Sequence, residues 1–412
     1  MQNSKAAELI YDWNQVDVQH CYPKRPVELN DESLRDGLQS PSVTDPQIED
    51  KIKILHLMED LGIHSLNIGL PGAGPRAVND VTKLAREIAD QRMKIKPNCA
   101  ARTLRQDIQP IIDISQQTGI AIEVATFIGS SPIRQYAEDW EPNMMLRRTE
   151  EAVSFAVSHH LDVMYVTEDT IRAHPDTIRS LYTTAINCGA RRVCVCDTVG
   201  HATPSGAYNL VRFIKEVIRD TGEEVKVDWH GHCDRGLAVS NTLAAYLAGA
   251  DRVHGTALGI GERVGNTQMD LLLINLKLLG VIDNDLSRLD EYCKVVSQAC
   301  RVPIPNNYPV VGRDAFRTAT GVHAAAVIKA EKKGETWLAD LVYSGVPAAM
   351  VGRAQEIEIG PMSGESNVKY WLERRKIDPD RQVVGRIMEA AKKSDRLLTN
   401  EEIYALLNEP RA

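Results

Sequence analysis

What the chain lacks narrows the field first. No stretch of its 412 residues approaches the roughly 18 consecutive apolar residues of a membrane span, so no membrane partner is expected. The first fifteen residues, MQNSKAAELIYDWNQ, lack the basic and then apolar regions of a secretory signal. None of the eight cysteines forms a Cys-x-x-Cys pair, which removes a common zinc and dithiol signature. Cys194 and Cys196 alternate inside an apolar strand and read as buried free thiols. A reduced, cytoplasmic protein is the expectation. Positive charge is not in surplus either: 48 basic against 56 acidic side chains leave −8, so a general affinity for nucleic acid is not expected. There is no internal repeat and no low-complexity tract. What remains is an ordinary globular composition, in a chain long enough for one domain of about 250 residues plus additions.

Short apolar runs then set a rhythm. They lie near 27–34, 65–70, 94–101, 121–128, 161–168, 191–197, 224–230 and 252–258. Between them, helical spacing marks Ile48–Leu61, Asn79–Ile88, Thr149–Val157, Pro175–Ile186, Ala207–Ile218 and Leu237–Ala248. Strands alternating with helices mean parallel βαβ units. Eight of them predict an α/β fold, a closed (β/α)8 TIM barrel, over 27–285. An open doubly wound sheet is the runner-up, but its first turn should be glycine-rich, and here it reads Arg35-Asp36-Gly37-Leu38-Gln39. Residues 1–26 read as an arm, with a helix near Lys5–Trp13. Residues 286–412 read as a linker, centred on three prolines in 303–309, followed by a smaller, mainly helical region.

Chemistry gathers at the ends of the runs. Val225, Val227 and Trp229 alternate with polar residues, so His230 and His232 lie on one face of a strand, roughly 6–7 Å apart at Cα. Two imidazoles so placed suit a divalent metal; alone, they could equally be a strand end satisfied by backbone or water. Arg35 and Asp36, Asn98, Glu123 and Thr126, Glu168-Asp169 and Asp197-Thr198 also interrupt or end runs. In a barrel, the C-terminal strand ends form the mouth. Asp36 with the two histidines leaves coordination positions open, the mark of a catalytic site. Arg35 offers donors to an oxyanion, if the turn at Gly37 lets it face the way Asp36 does. Glu123 could be catalytic or a satisfied core carboxylate. After the eighth run, Gly259, Gly261, Glu262 and Gly265 form a tight loop through which backbone can approach a ligand or metal, with Asn266 as an added oxygen donor.

Together, Leu34-Arg35-Asp36-Gly37-Leu38-Gln39, Glu168-Asp169, Asp197-Thr198-Val199-Gly200, His230-Gly231-His232 and GIGERVGN at 259–266 resemble the metal-dependent barrel acyltransferases and lyases named for an Asp-Arg-Glu signature. The nearest likeness is to 2-isopropylmalate and homocitrate synthases, in a form without a C-terminal regulatory domain. Gly321-Val322-His323 and Tyr343 extend the likeness into the smaller region. The resemblance implies a divalent zinc, manganese or magnesium ion on Asp36, His230 and His232, with Asn266 in or near its shell. It implies acetyl-CoA as co-substrate, served by the Gly259–Gly265 loop, and a 2-oxo acid as acceptor. Arg35 would steady the developing alkoxide, and Thr198 would hold the acceptor's carboxylate. Glu168 and His323 are tied to the acid–base steps, with Tyr343 assisting. A homodimer is implied, the second region of one chain covering the other's mouth. The favoured acceptor is 2-oxoisovalerate, which would serve leucine synthesis; pyruvate and 2-oxoglutarate remain open.

Some positions depart from the pattern. Asp31-Glu32-Ser33-Leu34 stands where Asp-Thr-Thr-Leu is common, and Cys233 where Asn is usual. Arg134 replaces a histidine, and an added cation could bind a dicarboxylic acceptor. No further module of about 120 residues follows, so feedback inhibition through one is not expected. A carbon–carbon lyase is the competing enzyme, but such lyases carry a cysteine in the loop after the eighth strand, and 255–292 has none. A metal-binding scaffold without activity is the third reading; the intact set Asp36, His230, His232, Arg35 and Glu168 weighs against it.

Overall fold

In a computed structural model, which describes residues 4–16 and 25–408, all eight apolar runs become strands. They are β1 (Glu28–Asp31), β2 (Ser65–Asn67), β3 (Lys96–Arg102), β4 (Glu123–Gly129), β5 (Val163–Glu168), β6 (Arg192–Asp197), β7 (Lys226–Gly231) and β8 (Arg252–Gly255). Each pairs in parallel with the next, and β1 pairs with β8, closing the barrel. Helices cover the outside and side chains fill the inside, so both faces of each strand are buried and the runs are nearly continuously apolar. Helices stand at the six places expected. Pro75, Pro142, Pro175 and Pro204 each open one, where a missing N–H costs nothing.

A seventh, Arg105–Thr118, was not legible from spacing. It carries Pro110 in its interior and many Gln, Asp and Ser residues, yet buries Ile108, Ile111, Ile112 and Ile114. Tertiary burial overrides weak local propensity here. Gly119, at a φ of 71°, ends the helix in the left-handed region that glycine adopts freely.

The residues that open the strands build the barrel floor from charge. Asp228, fully buried on β7, accepts from Arg252 at 2.6 Å, Arg192 at 2.7 Å and His254 at 2.8 Å. Glu123, first residue of β4, accepts from Arg252 at 2.5 Å and pairs with Arg192 at 3.2 Å. It therefore lies at the end opposite the mouth, as a satisfied core carboxylate. Glu28 completes the set, pairing with Arg192 and Lys226. Asn98 is likewise structural, donating to Asn30 at 2.7 Å.

The chain divides into two compact units. One is 19–303; the other joins 1–18 to 304–412. The helix Leu289–Cys300, assigned from the sequence to the second region, instead packs on the barrel helix Ile48–Asp60. In the second unit, the helix Ser4–Leu9 is tied by Lys5 to Glu335 at 2.7 Å. Its helices Glu365–Arg374, Arg381–Lys393 and Asn400–Asn408 bury Trp371, Leu372, Val384, Ile387 and Ile403 in one core. Part of the N-terminal arm, 17–24, falls outside the described residues. Among the described residues no helix is long and apolar enough to cross a membrane. Cys194 and Cys196 are indeed buried free thiols.

Burial alone would raise the Asp228 carboxyl, but Arg252, Arg192 and His254 outweigh it and hold the group well below the usual carboxylate range. A depressed native value stabilises the fold above about pH 4, where the unfolded carboxyl ionises, and this contribution is lost as pH falls toward the native value. Asp228→Asn removes the one anion that Arg192, Arg252 and His254 share, leaving them only Glu28, Glu123 and Glu32. It should cost about 3–5 kcal/mol at pH 7, and the loss of stability on acidification should become shallower. Denaturant unfolding across pH 3–8 measures both.

Candidate metal centre

The mouth is assembled from the turns and strand ends that follow this floor. β1 stops at Asp31, and the chain turns at once: the N–H groups of Arg35 and Gly37 both donate to the Glu32 carbonyl at 3.0 Å. That turn puts Arg35 and Asp36 on the same side, so they need not diverge as successive strand residues would. Gly37 also lets Ile260 pack against the turn, since a Cβ there would stand 3.0 Å from Ile260 Cγ1.

Asp36, His230 and His232 meet, all buried. His230 Nε2 lies 3.1 Å from His232 Nε2 and 3.4 Å from Asp36 Oδ2, which lies 3.6 Å from His232 Nε2. Bonds of about 2.0–2.2 Å to a common cation put neighbouring ligand atoms about 2.8–3.6 Å apart, for octahedral through tetrahedral geometry. The three observed edges fall in that range. His232 fits a ligand's role chemically: burial, His230 and Arg263 hold its pKa down, at about 4, so the imidazole is neutral near pH 7. Its Nδ1 and the Oδ1 of Asn266 are buried without partners. The residues present fit a divalent cation.

Glu32, His230 and His254 form a second cluster of potential ligands, but the contact from His230 Nδ1 to Glu32 Oε2 is 2.6 Å. That is a hydrogen bond, too short to be a ligand–ligand edge on that scale. Burial opposes ionisation of Glu32, yet His230, Arg35 and His254 prevail and hold it well below the usual carboxylate range. Burial likewise opposes charge on His254, and the Glu32 and Asp228 carboxylates help raise its pKa nonetheless. The surroundings of His254 favour its cationic form, and the second cluster is a chain of charged contacts: His230 is hydrogen-bonded to Glu32, while His254 Nδ1 lies 3.3 Å from Glu32 as an ion pair. Neither Glu32 nor His254 was singled out from the sequence. Glu32 looked like a strand residue, and its partner is 198 positions away. His254 sits two residues after Arg252 on the same strand face, and that alternation could have placed it in the lumen.

The glycine loop is knitted to the end of β7: Cys233 N donates to Gly265 O and Thr267 N to Gly231 O, both at 2.9 Å. Its glycines make room within the loop itself. A Cβ on Gly261 would stand 2.0 Å from Asn266 Oδ1, and one on Gly265 1.7 Å from the Gly259 carbonyl oxygen. So folded, the loop aims the Asn266 amide at Asp36, to which Nδ2 donates at 2.5 Å. Asn266 thereby touches a candidate ligand through a hydrogen bond.

These groups open on a cavity of about 720 Å3, counting space shared with solvent. Arg35, Asp36, Glu168, Thr198, His230, His232 and Glu262 line it. Arg35 donates to Asp36 and Glu32, and its buried Nε has no partner. Thr198 Oγ1 accepts from Asp169 N at 2.8 Å, which leaves its own proton to donate. Burial raises the Glu168 carboxyl, with Arg134 and Arg35 opposing incompletely. Leu70, Ala100, Ala125, Phe127, Met164 and Val166 form an apolar wall. Other sequence candidates turn elsewhere. Asp169 pairs with Arg172 at 2.6 Å, and Asp197 accepts from the N–H of His201 at 2.7 Å. Arg134 pairs with Glu138 at 3.1 Å and stacks on Trp140, and it is not among the lining residues. His323 and Tyr343 belong to the second unit, where their rings stack at 4.2 Å.

The model of the HMGL-like family matches residues 26–296. Homocitrate synthase AksA of Methanothermobacter thermautotrophicus is 31% identical over 402 residues, 95% of each chain. The 2-isopropylmalate synthase of Sulfurisphaera tokodaii is 32% identical over 372 residues, 90% of this chain and 91% of that one. The HMG-CoA lyase structure from Bacillus subtilis superposes with a TM-score of 0.58 at 19% identity, over 69% of this chain and 97% of its own, a likeness of fold.

Two substitutions separate ligand from scaffold. His232→Ala removes one of three ligand atoms and should abolish tight zinc binding while the barrel stays folded. Gly261→Ala should displace Asn266 and weaken zinc binding by about tenfold or more, the scale for a residue supporting a ligand. Chelator-competition titration with circular dichroism tests both; zinc affinity unchanged in His232→Ala would refute the site.

Proposed function

The chain belongs to the HMGL-like family, and from that premise we propose that it is an acyltransferase condensing acetyl-CoA with a 2-oxo acid to give a 2-alkylmalate and free CoA. The observation that carries the proposal is the buried Asp36, His230 and His232 triad opening on a cavity that Arg35, Thr198 and Glu168 also line. A divalent cation held there would serve as a Lewis acid toward the keto oxygen of the acceptor. Asp36 offsets one of its two charges, so an anionic acceptor suits the remainder.

The chain's own side chains supply the rest. The Thr198 hydroxyl donates to the acceptor's carboxylate. The unpartnered Nε of Arg35 donates to the keto oxygen as negative charge grows on it, in a buried setting where such a donor counts most. An acetyl thioester is a weak carbon acid, so a positioned base must take a methyl proton as the carbon–carbon bond forms. Glu168 fits the proton-handling role, because burial brings its carboxyl toward the pH at which it can both take and give a proton. His323, with Tyr343 stacked against it, is assigned to the same proton steps, and the loop bearing Gly259, Gly261, Glu262 and Gly265 to acetyl-CoA contacts; Arg134, paired with Glu138 away from the lining, is given no acceptor contact. Water then cleaves the thioester and releases CoA.

We favour 2-oxoisovalerate as acceptor, giving 2-isopropylmalate for leucine synthesis. Arg35 is the one Lys or Arg side chain among the lining residues, and Glu32 and Asp36 already hold it. The apolar wall suits a branched alkyl group better than the second carboxylate of 2-oxoglutarate, the acceptor for homocitrate synthesis. Pyruvate, the acceptor for citramalate, would leave the wall unfilled. Burying the alkyl group contributes about 1.5–3 kcal/mol, a preference of roughly 10- to 150-fold. A cytoplasmic homodimer completes the proposal.

A panel of 2-oxo acids with acetyl-CoA, read by free thiol, tests it. Thiol release should require both substrates and added metal, and kcat/KM should be highest for 2-oxoisovalerate; no release with any acid would sink the proposal. His323→Ala should slow turnover by about 100-fold or more while leaving zinc affinity unchanged. Light scattering reads the oligomer.

A further inference from the structure

The wall of the metal centre holds one carboxylate that the ligand triad leaves unused. Glu32 is the first residue after β1 and is 2% exposed. Its two oxygens point to different partners. Oε2 accepts from His230 Nδ1 at 2.6 Å, while Oε1 accepts from Arg35 at 3.0 Å and lies 3.3 Å from His254 Nδ1. The other ring nitrogen of His254 is bound to Asp228 at 2.8 Å. The links therefore run without a break from the barrel floor to the mouth: Asp228, His254, Glu32, His230.

Imidazole has two nitrogens, and a neutral ring has one proton between them. With Oε1 already accepting from Arg35, Glu32 is placed as an acceptor, and the 2.6 Å contact assigns that proton to Nδ1 of His230. Nε2 is then a bare lone pair, and it is the atom that faces His232 and Asp36. Without an acceptor at Nδ1, the proton could sit on Nε2 and block it. Ring rotation is suppressed as well, because Arg35 and His254 hold the carboxylate from its other side.

We propose that Glu32 is the positioning residue of the metal centre: it fixes the tautomer and orientation of His230, and the pair His254–Asp228 fixes Glu32 in turn. The inference rests on Asp36, His230 and His232 binding a metal, but not on which oxo acid is condensed. Partners of this kind sustain ligand basicity, and their loss lowers metal affinity about 10- to 100-fold.

The test is Co2+ titration of the chelator-stripped full chain, followed by visible absorption, with Zn2+ competition giving the affinity of that ion. Glu32→Gln keeps the size of the side chain but can present its NH2 group to Nδ1, which permits the other tautomer. It should bind both ions about 10- to 100-fold more weakly, with altered Co2+ bands. Glu32→Asp keeps the charge for Arg35 and His254 but draws it back from His230. It should weaken binding in the same direction, and it answers the question if Glu32→Gln does not fold. A folded variant of either kind with unchanged affinity and bands overturns the assignment. A wild-type chain that takes up no Co2+ overturns the metal-centre reading itself, whatever the outcome with oxo acids.

Discussion

A carboxylate with no access to water, Asp228, is the constraint on which the barrel interior depends. A charge so placed is tolerated only when paired, and Arg192, Arg252 and His254 all pair with it. The fold has to fill the lumen of eight strands with something, and here the lower part is filled with alternating charge. Each group is held by the one below. His254 stands on Asp228, Glu32 on His254 and Arg35, and His230 on Glu32. The geometry of the mouth is therefore set from the floor upward, by short contacts among buried groups.

The same arrangement separates two chemical environments a few residues apart. On one side of the cavity lie charged and ligating groups, each with a fixed partner. On the other lie Leu70, Ala100, Ala125, Phe127, Met164 and Val166, which can offer only surface. A small acid with a charged head and an alkyl tail matches that division, head toward Arg35 and Thr198 and tail toward the wall. Selectivity among acceptors would then rest on a handful of methylene groups, which is a modest lever.

Much of this was open to a reader of the sequence. Period-2 runs alternating with period-3.6 segments give all eight strands and six of the barrel helices, because burial on both faces leaves a strong apolar signature. His230-Gly231-His232 is visible because the two ligands are neighbours on one strand. Asp36 is visible because it ends the first run and belongs to a recurrent pattern. What escaped reading had a physical reason. The helix Arg105–Thr118 carries a proline that local rules count against it. Glu123 opens its strand, so its side chain lies at the floor, and the position of a polar residue within an apolar run does not say which end it occupies. Glu32 owes its importance to His230 and His254, far along the chain, and no local pattern announces such a partner. The division at 303/304 falls later than the expected 285/286, because the helix Leu289–Cys300, charged on its outer face, packs on the barrel.

The candidate ligands come from the first strand's turn and from the seventh strand, and Asn266, which donates to Asp36, follows the eighth. During synthesis, more than half the chain must leave the ribosome before Asp36 has either imidazole to meet. Barrel closure, the pairing of β1 with β8, is what draws the two ends of this long loop together. Assembly of the triad is consequently an end-stage event in folding. A chain stalled or cleaved before closure would carry the two histidines side by side but no Asp36 beside them, and so only part of the triad.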